Sequence, residues 1–181
     1  MQARRPYGES MKKIALNGLL ISLALVLSYV ESLFPTSLII PIPGIKLGLA
    51  NIVTMFALFY LGFVSALTVS VLRCVLAALL FGGFSSLMFS LSGALLALIV
   101  MQVLKHGHNK LFSLLGISMG GAAAHNTGQI IMASLMMRNT AIYAYLPVLL
   151  IAGIVMGFLT AVVAQNLFYL VDKTHVVNRL G

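Results

Sequence analysis

Long apolar runs, separated by basic residues and glycines, most constrain how this chain can fold. Hydrophobic residues make up 61% of its 181 residues, and charged residues make up only 8%. Several runs reach the ~20 residues that a helix needs to cross a hydrocarbon core of about 30 Å. They are continuous, whereas the strands of a membrane barrel alternate between apolar and polar positions. The sequence therefore predicts an all-α integral membrane protein of one domain, without a soluble catalytic domain.

The apolar runs divide into six predicted membrane spans. We place them at Lys13–Leu33, Leu47–Gly62, Phe63–Phe81, Ser85–Leu104, Leu111–Met137 and Ala141–Val171. The second span is short and is separated from the third only by a turn at Gly62, so five spans are the main alternative. Six spans give a six-transmembrane-helix bundle over residues 13–171, preceded by a cytoplasmic segment, 1–12, and followed by a cytoplasmic tail, 172–181.

The basic residues predict the orientation of the bundle, because cytoplasmic loops of membrane proteins carry an excess of Lys and Arg. The formal charge of +8 comes mostly from residues at the ends of the spans, which is not the pattern of a nucleic-acid-binding face. With a cytoplasmic amino terminus, Lys46 and Arg138 lie outside, and the remaining end-of-span basic residues lie inside: Arg4, Arg5, Lys12, Lys13, Lys105, Lys110, Lys173 and Arg179. We expect a multi-pass protein of the cell membrane, in contact with lipid, with both termini cytoplasmic.

Arg73 lies near the middle of the apolar third span and is the strongest indication of a binding site. A guanidinium stays charged at physiological pH, so at bilayer depth it needs a partner, a ligand or a water-filled cavity. We interpret Arg73 as the group that neutralises the charge of a bound ligand. The structural alternative is that Arg73 pairs with Glu31 or with helix carbonyls.

Polar residues of the second and fifth spans are the other candidate ligand-binding groups. His125, Asn126 and Gln129 lie close together on the fifth span, and Asn51 lies on the second. In the predicted topology they occupy the outer half of the bilayer, where their amides and imidazole would orient an anionic or electron-rich ligand beside Arg73. The alternative is that they form hydrogen bonds with neighbouring helices. The four scattered histidines and the single cysteine do not suggest a metal site.

Small residues at four-residue spacing predict close helix packing. They recur on the fifth span as Gly116, Gly120, Ala124 and Gly128, and on the sixth as Gly153, Gly157 and Ala161. We expect packing within one bundle to explain most of them. Ala15, Gly18 and Ser22 share one face of the first span, and of these Gly18 and Ser22 have the four-residue spacing. Contact with another subunit and internal packing are both open for this face.

The connection between the first two spans, residues 34–46, is unusually apolar for an external loop and contains three prolines. We expect it to fold over the outer mouth of the bundle as a lid, from which Lys46 would help to recruit the ligand. A re-entrant or interfacial segment is the alternative.

Sequence signatures of enzymes are missing. The chain has no GxxxxGK[ST] phosphate loop, and Asp172 is its only aspartate, so it lacks the paired aspartates that hold magnesium in prenyl synthases. No Ser-His-Asp, zincin or haem arrangement is present either. We therefore expect neither enzymatic activity nor a cofactor.

Three segments carry a family resemblance: ALNGLLISLALVLSYVE (Ala15 to Glu31), GIKLGLANIVTMFALFYLG (Gly44 to Gly62) and HNTGQ (from His125). With the Arg73 span, they resemble the Gx transporter family, whose members are often described as heptaprenyl diphosphate synthase component I. That family is in turn similar to the substrate-binding S components of energy-coupling factor (ECF) transporters. The resemblance covers nearly the whole chain after residue 11.

The resemblance implies a function. S components are small six-helix proteins that bind a vitamin-like molecule in an outward-facing cavity capped by the loop between the first two helices. They depend on a separate coupling subunit and two ATPases, and an Ala-xxx-Ala pair on their first helix contacts the coupling subunit. Here Gly18 and Ser22, with Ala15 one turn earlier, are the nearest match. The implied activity is uptake of a small anionic or aromatic molecule, such as a flavin, isoprenoid or quinone precursor.

Two other functions stay open at this point. The chain could be a membrane subunit of a quinone- or flavin-linked electron-transfer or isoprenoid-biosynthesis assembly that uses the same cavity without transport. It could also be a structural membrane scaffold with no ligand.

Overall fold

The computed structural model describes residues 6–33, 46, 48–108 and 110–174. Regular secondary structure within these ranges is helical, with no β-strand among them. The α-helices are α1 (Pro6–Ser32), α2 (Asn51–Tyr60), α3 (Phe63–Ala77), α4 (Gly83–His106), α5 (Leu114–Met137) and α6 (Leu146–Thr174). A π-helical turn, Ala78–Gly82, joins α3 to α4, and a 3₁₀ turn, Thr140–Tyr145, precedes α6. The predicted all-α architecture is confirmed.

Three helical stretches are long and apolar enough to cross a membrane: Met11–Ser32, Phe63–His106 and Thr140–Val171. The second contains 44 residues and would extend about 66 Å if it were straight, roughly twice the thickness of a hydrocarbon core. It doubles back instead, because Gly83 adopts a φ of 74° after the π turn and α3 packs against α4. These stretches make the chain a membrane protein.

The helix of the predicted second span, Leu47–Gly62, is shorter than expected. Its ten residues, Asn51–Tyr60, rise about 15 Å, half of a hydrocarbon core. Gly48 has a φ of 92°, which is incompatible with a helix, so the chain enters α2 through a turn. At the other end Gly62 has a φ of 90° and forms the predicted turn into α3.

Hydrogen bonds from two neighbouring helices hold α2 inside the bundle. The Thr54 and Ser70 hydroxyl oxygens lie 3.0 Å apart and join α2 to α3. Lys105 of α4 donates from Nζ to the Leu58 carbonyl at 2.7 Å, near the end of α2 where carbonyls lack helical partners. These bonds hold α2 near its start, at Thr54, and near its end, at Leu58. The turn that leads into α2 is therefore also held against the surrounding helices.

Glycines allow α4, α5 and α6 to pack closely, as predicted. A Cβ atom at Gly128 would lie 2.8 Å from the Ser92 carbonyl oxygen of α4, and one at Gly157 would lie 2.7 Å from the Met119 Cα of α5. Gly120 and Gly153 similarly face α4 and α5. The interpretation of these positions as packing within one bundle is confirmed.

Other helix ends differ modestly from the predicted spans. The first helix, α1, begins at Pro6, before the predicted span, and α5 begins at Leu114 with the Ser113 hydroxyl accepting from Gly116 N at 3.2 Å. The predicted sixth span begins in the 3₁₀ turn rather than in α6.

Candidate functional site

The turn at Gly48 is the point on which the predicted site residues converge. A Cβ atom at this position would lie 2.8 Å from Asn51 Nδ2 and 3.3 Å from His125 Cδ2. Glycine is therefore needed both for the positive φ and for the close approach of the backbone to these side chains. We define the Gly48 site as this turn and the charged and polar side chains around it: Glu31, Lys46, Asn51, Arg73 and His125.

Glu31, at the end of α1, holds the Gly48 turn by hydrogen bonds to its backbone. Its Oε1 accepts a hydrogen bond from Gly48 N and a second, at 3.4 Å, from Leu49 N. The side chain is 2% exposed, and its other oxygen, Oε2, has no partner among the described residues. From the sequence, Glu31 was expected only as a possible partner of Arg73. The signal that could have identified it as a site residue is that it is the one acid within a predicted span.

Arg73 of α3 is 2% exposed and is held by two side chains. Its two terminal nitrogens donate to Ser28 Oγ and to Asn51 Oδ1, each at 3.4 Å. Both contacts are longer than the usual 2.9–3.0 Å, and Arg73 Nε has no partner in the described part of the chain. Among the described residues, the guanidinium is thus bonded to side-chain oxygens, and neither to Glu31 nor to helix carbonyls, the two structural alternatives.

His125 of α5 lies between two glycines. Its ring is next to Gly48 on one side, and a Cβ atom at Gly93 of α4 would lie 3.0 Å from His125 Cε1 on the other. The residue is 1% exposed, and neither Nδ1 nor Nε2 has a hydrogen-bond partner within the described ranges. A buried neutral imidazole offers one donor and one acceptor. The Gly93 backbone is close enough to interact with the ring, so at least one of the two ring nitrogens remains available to a ligand.

Gln129 and Asn126 are used differently from His125, because their amides bond to the protein. Gln129 Oε1 accepts from Lys46 N at 2.8 Å, and Gln129 Nε2 donates to Lys46 O at 2.7 Å. Asn126 Nδ2 donates to the Leu149 carbonyl of α6 at 2.5 Å, and Asn126 Oδ1 accepts from Gln129 Nε2 at 3.4 Å. Gln129 therefore holds Lys46, just before the Gly48 turn, against α5, and Asn126 joins α5 to α6. For these two amides the structure agrees with the alternative that they bond to the protein.

Lys46 combines this backbone anchor with a cation–π contact. Its Nζ lies 5.4 Å from the centre of the Phe81 ring, and the residue is 7% exposed. The Glu31 side chain is near enough to interact electrostatically with the Lys46 ammonium. The rest of the predicted lid, residues 34–45, lies outside the described residues.

Ala15, Gly18 and Ser22 are all exposed on α1. A Cβ atom at Gly18 would have no heavy atom within 4 Å, and Ser22 Oγ bonds back to Gly18 O at 2.9 Å. Within the described part of the chain, this stripe is not used for internal packing.

An apolar groove of about 540 Å³ lies between α1, α2 and α6. Apart from Thr160, only apolar side chains line it, including Leu27, Leu49, Phe56, Leu167 and Val171. Leu49 lies next to the Gly48 turn, and Leu27 lies one helical turn before Glu31, so the groove begins beside the Gly48 site.

The helices and the Gly48 site define a helical membrane protein with a buried, incompletely bonded polar site. A family model described as heptaprenyl diphosphate synthase component I matches residues 20–167, and the chain belongs to this family. The predicted membership of the heptaprenyl diphosphate synthase component I family is thereby confirmed, while the similarity to ECF S components stays a prediction. No curated protein and no solved structure matches the chain.

Proposed function

We propose that the chain is the substrate-binding membrane subunit of an ECF-type importer, an S component, for a vitamin-like small molecule. Binding takes place at the Gly48 site, and ATPases on other chains supply the energy through a coupling subunit. The chain itself is not an enzyme. The single observation that carries this proposal is the group of buried polar atoms without partners around Gly48 among the described residues.

The energetic cost of this arrangement supports a binding role. Five unpartnered atoms lie on four side chains of the site: Glu31, Asn51, Arg73 and His125. A buried polar group that is left unsatisfied costs about 1–3 kcal/mol, which is a large fraction of the roughly 5–15 kcal/mol that stabilises a typical domain. Unpaired groups at this density are typical of a site that a polar solute completes.

The proposed topology places this site in the outer half of the membrane. We propose six crossings with both termini cytoplasmic, in which the short α2 and the buried turn before it together make the second crossing. Non-helical backbone at membrane depth is tolerated where protein surrounds it, and Gly48 is buried. In this orientation Lys105, at the far end of α2, lies on the cytoplasmic side, as basic residues generally do.

The exposed stripe of Ala15, Gly18 and Ser22 supports the proposed coupling partner. Small residues let two helix backbones approach closely in lipid, and these have no such neighbour within the described residues. We propose that a helix of the coupling subunit packs there.

A second candidate function is favoured by the apolar groove and by the description of the family. A groove beside a charged site suits an amphiphile with a charged head and a long apolar tail, such as a prenyl diphosphate or a quinone precursor. The chain would then serve an isoprenoid-biosynthesis or electron-transfer assembly and bind the molecule without transporting it.

Gentle purification followed by native mass spectrometry tests the proposal. We expect a bound small molecule on the wild type, its loss from Arg73→Ala, and its retention by Lys110→Ala, a control that removes an exposed basic residue. Co-purifying ATPase and coupling subunits support import, whereas prenyl-transfer or redox partners support the second function. A molecule that stays bound to Arg73→Ala and to Gln129→Leu would refute the site, and the absence of any bound molecule would favour a scaffold.

A further inference from the structure

Opposite charges are buried in the Gly48 site without being bonded to each other. Arg73 donates to Ser28 and Asn51, while Glu31 accepts from the Gly48 and Leu49 backbone. Each charge also has an open position: Arg73 Nε and Glu31 Oε2 are without partners among the described residues. A buried ion pair normally satisfies its members mutually, so this separation needs another explanation.

The chemistry of the open positions specifies what would fill them. Arg73 Nε and Asn51 Nδ2 can only donate, so they require an acceptor. A Glu31 carboxylate oxygen can only accept, so it requires an N–H or O–H donor. His125 accommodates one group of each kind.

We infer that the solute recognised at the Gly48 site is a small zwitterion. Its anionic group bonds to Arg73 and Asn51, and its protonated amine or equivalent N–H group bonds to Glu31. This inference rests on the proposed function and names the class of solute. The site connects these contacts because Glu31, Asn51 and His125 all lie against the same residue, Gly48.

Ligands with one charge fit this arrangement less well. A plain anion satisfies Arg73 and Asn51 but meets the Glu31 carboxylate as a like charge and leaves its Oε2 without a donor. A plain cation satisfies Glu31 but is repelled by Arg73 and Lys46. A site built to bond a particular polar group rejects an analogue that lacks it, because the buried partner is then left unpaired.

Chemically blocked probes on the wild-type protein provide the first test. The probe is the low-molecular-mass fraction of a rich growth medium in three forms: untreated, acetylated on amines, and methyl-esterified on carboxylates. We expect the untreated fraction to raise the melting temperature of the detergent-solubilised protein and both blocked fractions to fail. Full stabilisation by either blocked fraction would overturn the zwitterion and keep solute binding. If no fraction stabilises the protein, the proposed function fails with it.

Glu31→Gln provides the second test. Glutamine keeps an oxygen for the Gly48 and Leu49 amides but replaces Oε2 with a donor of nearly the same size. We expect the concentration of untreated fraction needed for half-maximal stabilisation to rise about 30-fold or more, as for loss of one partner of a buried charge pair. An unchanged requirement would show that Glu31 does not face a donor and would overturn the inference.

Discussion

Replacing Arg73 with methionine should abolish ligand binding and leave the stability of the protein nearly unchanged. Methionine is similar in length, fills irregular space and carries no charge. An arginine near the middle of a membrane helix costs about 2.5–3.5 kcal/mol on insertion scales. Among the described residues, the hydrogen bonds that offset this cost are the two of 3.4 Å to Ser28 and Asn51.

The magnitude follows from the difference between these contributions. Two hydrogen bonds of about 1 kcal/mol each recover roughly 2 of the 3 kcal/mol, so removing the charge should gain about 1 kcal/mol. Ser28 Oγ and Asn51 Oδ1 then lose their donor, which costs at least about 1 kcal/mol, so the two contributions nearly cancel. For a chain of this length we expect the melting temperature of Arg73→Met to lie within about 2–4 °C of the wild type. Lys46 remains close enough to interact electrostatically with Glu31, which limits the effect on that carboxylate.

The assay is thermal unfolding in detergent, with Asn126→Leu as the matched control. Asn126 is also buried, but its amide bonds at 2.5 Å to the Leu149 carbonyl and at 3.4 Å to Gln129, and leucine can make neither bond. We expect Asn126→Leu to lose about 1–3 kcal/mol and to melt lower than the wild type. If Arg73→Met is destabilised as much as Asn126→Leu, Arg73 has a structural role and the reasoning is wrong.

Three further predictions concern the backbone and the helix contacts. Gly48→Ala and Gly62→Ala both strain a φ near 90°, so each should lower the free energy of unfolding by about 1–3 kcal/mol. Only Gly48→Ala displaces Asn51 and His125, so it alone should lose ligand-induced stabilisation, and equal binding by both variants would contradict this. Gln129→Leu removes both bonds to the Lys46 backbone, so the rate of hydrogen exchange at the Lys46 amide should rise about tenfold or more. Mass spectrometry measures this rate, and an unchanged rate would show that Gln129 does not anchor Lys46. Gly128→Ala should lower the melting temperature by several degrees, because its Cβ would meet the backbone of α4 at 2.8 Å. Gly116→Ala, whose Cβ would have its nearest atom at 3.7 Å, should not, and similar melting temperatures of the two variants would exclude the packing role.

The helical architecture was predictable because lipid restricts the available structures. Continuous apolar runs can only be helices in a membrane, and glycines at four-residue spacing mark the contacts between them. The same argument identified Arg73, since a charge in such a run is costly and therefore conspicuous. These inferences depend on local composition, which the sequence displays directly.

The length of α2 was not predictable, since the residues just before the helix are as apolar as those within it. Gly48 keeps the helix from starting earlier because of its backbone conformation, and hydropathy carries no information on φ. The anchor between Gln129 and Lys46 joins residues 83 positions apart, so no local pattern announces it. The same is true of Glu31, whose role depends on where the backbone of a later turn passes.

The distinction between binding residues and anchoring residues also required coordinates. His125, Asn126 and Gln129 lie within one and a half turns of α5 and have similar polarity. Only the hydrogen-bond partners separate them: the two amides bond to the protein, while the imidazole nitrogens have no partner in the described ranges.

The most direct test is an experimental structure of the protein purified without removing bound small molecules. We expect density for a bound small molecule beside Gly48, within hydrogen-bonding distance of Arg73 on one side and Glu31 on the other. Arg73 bonded directly to Glu31, with protein side chains filling the space around Gly48, would contradict it.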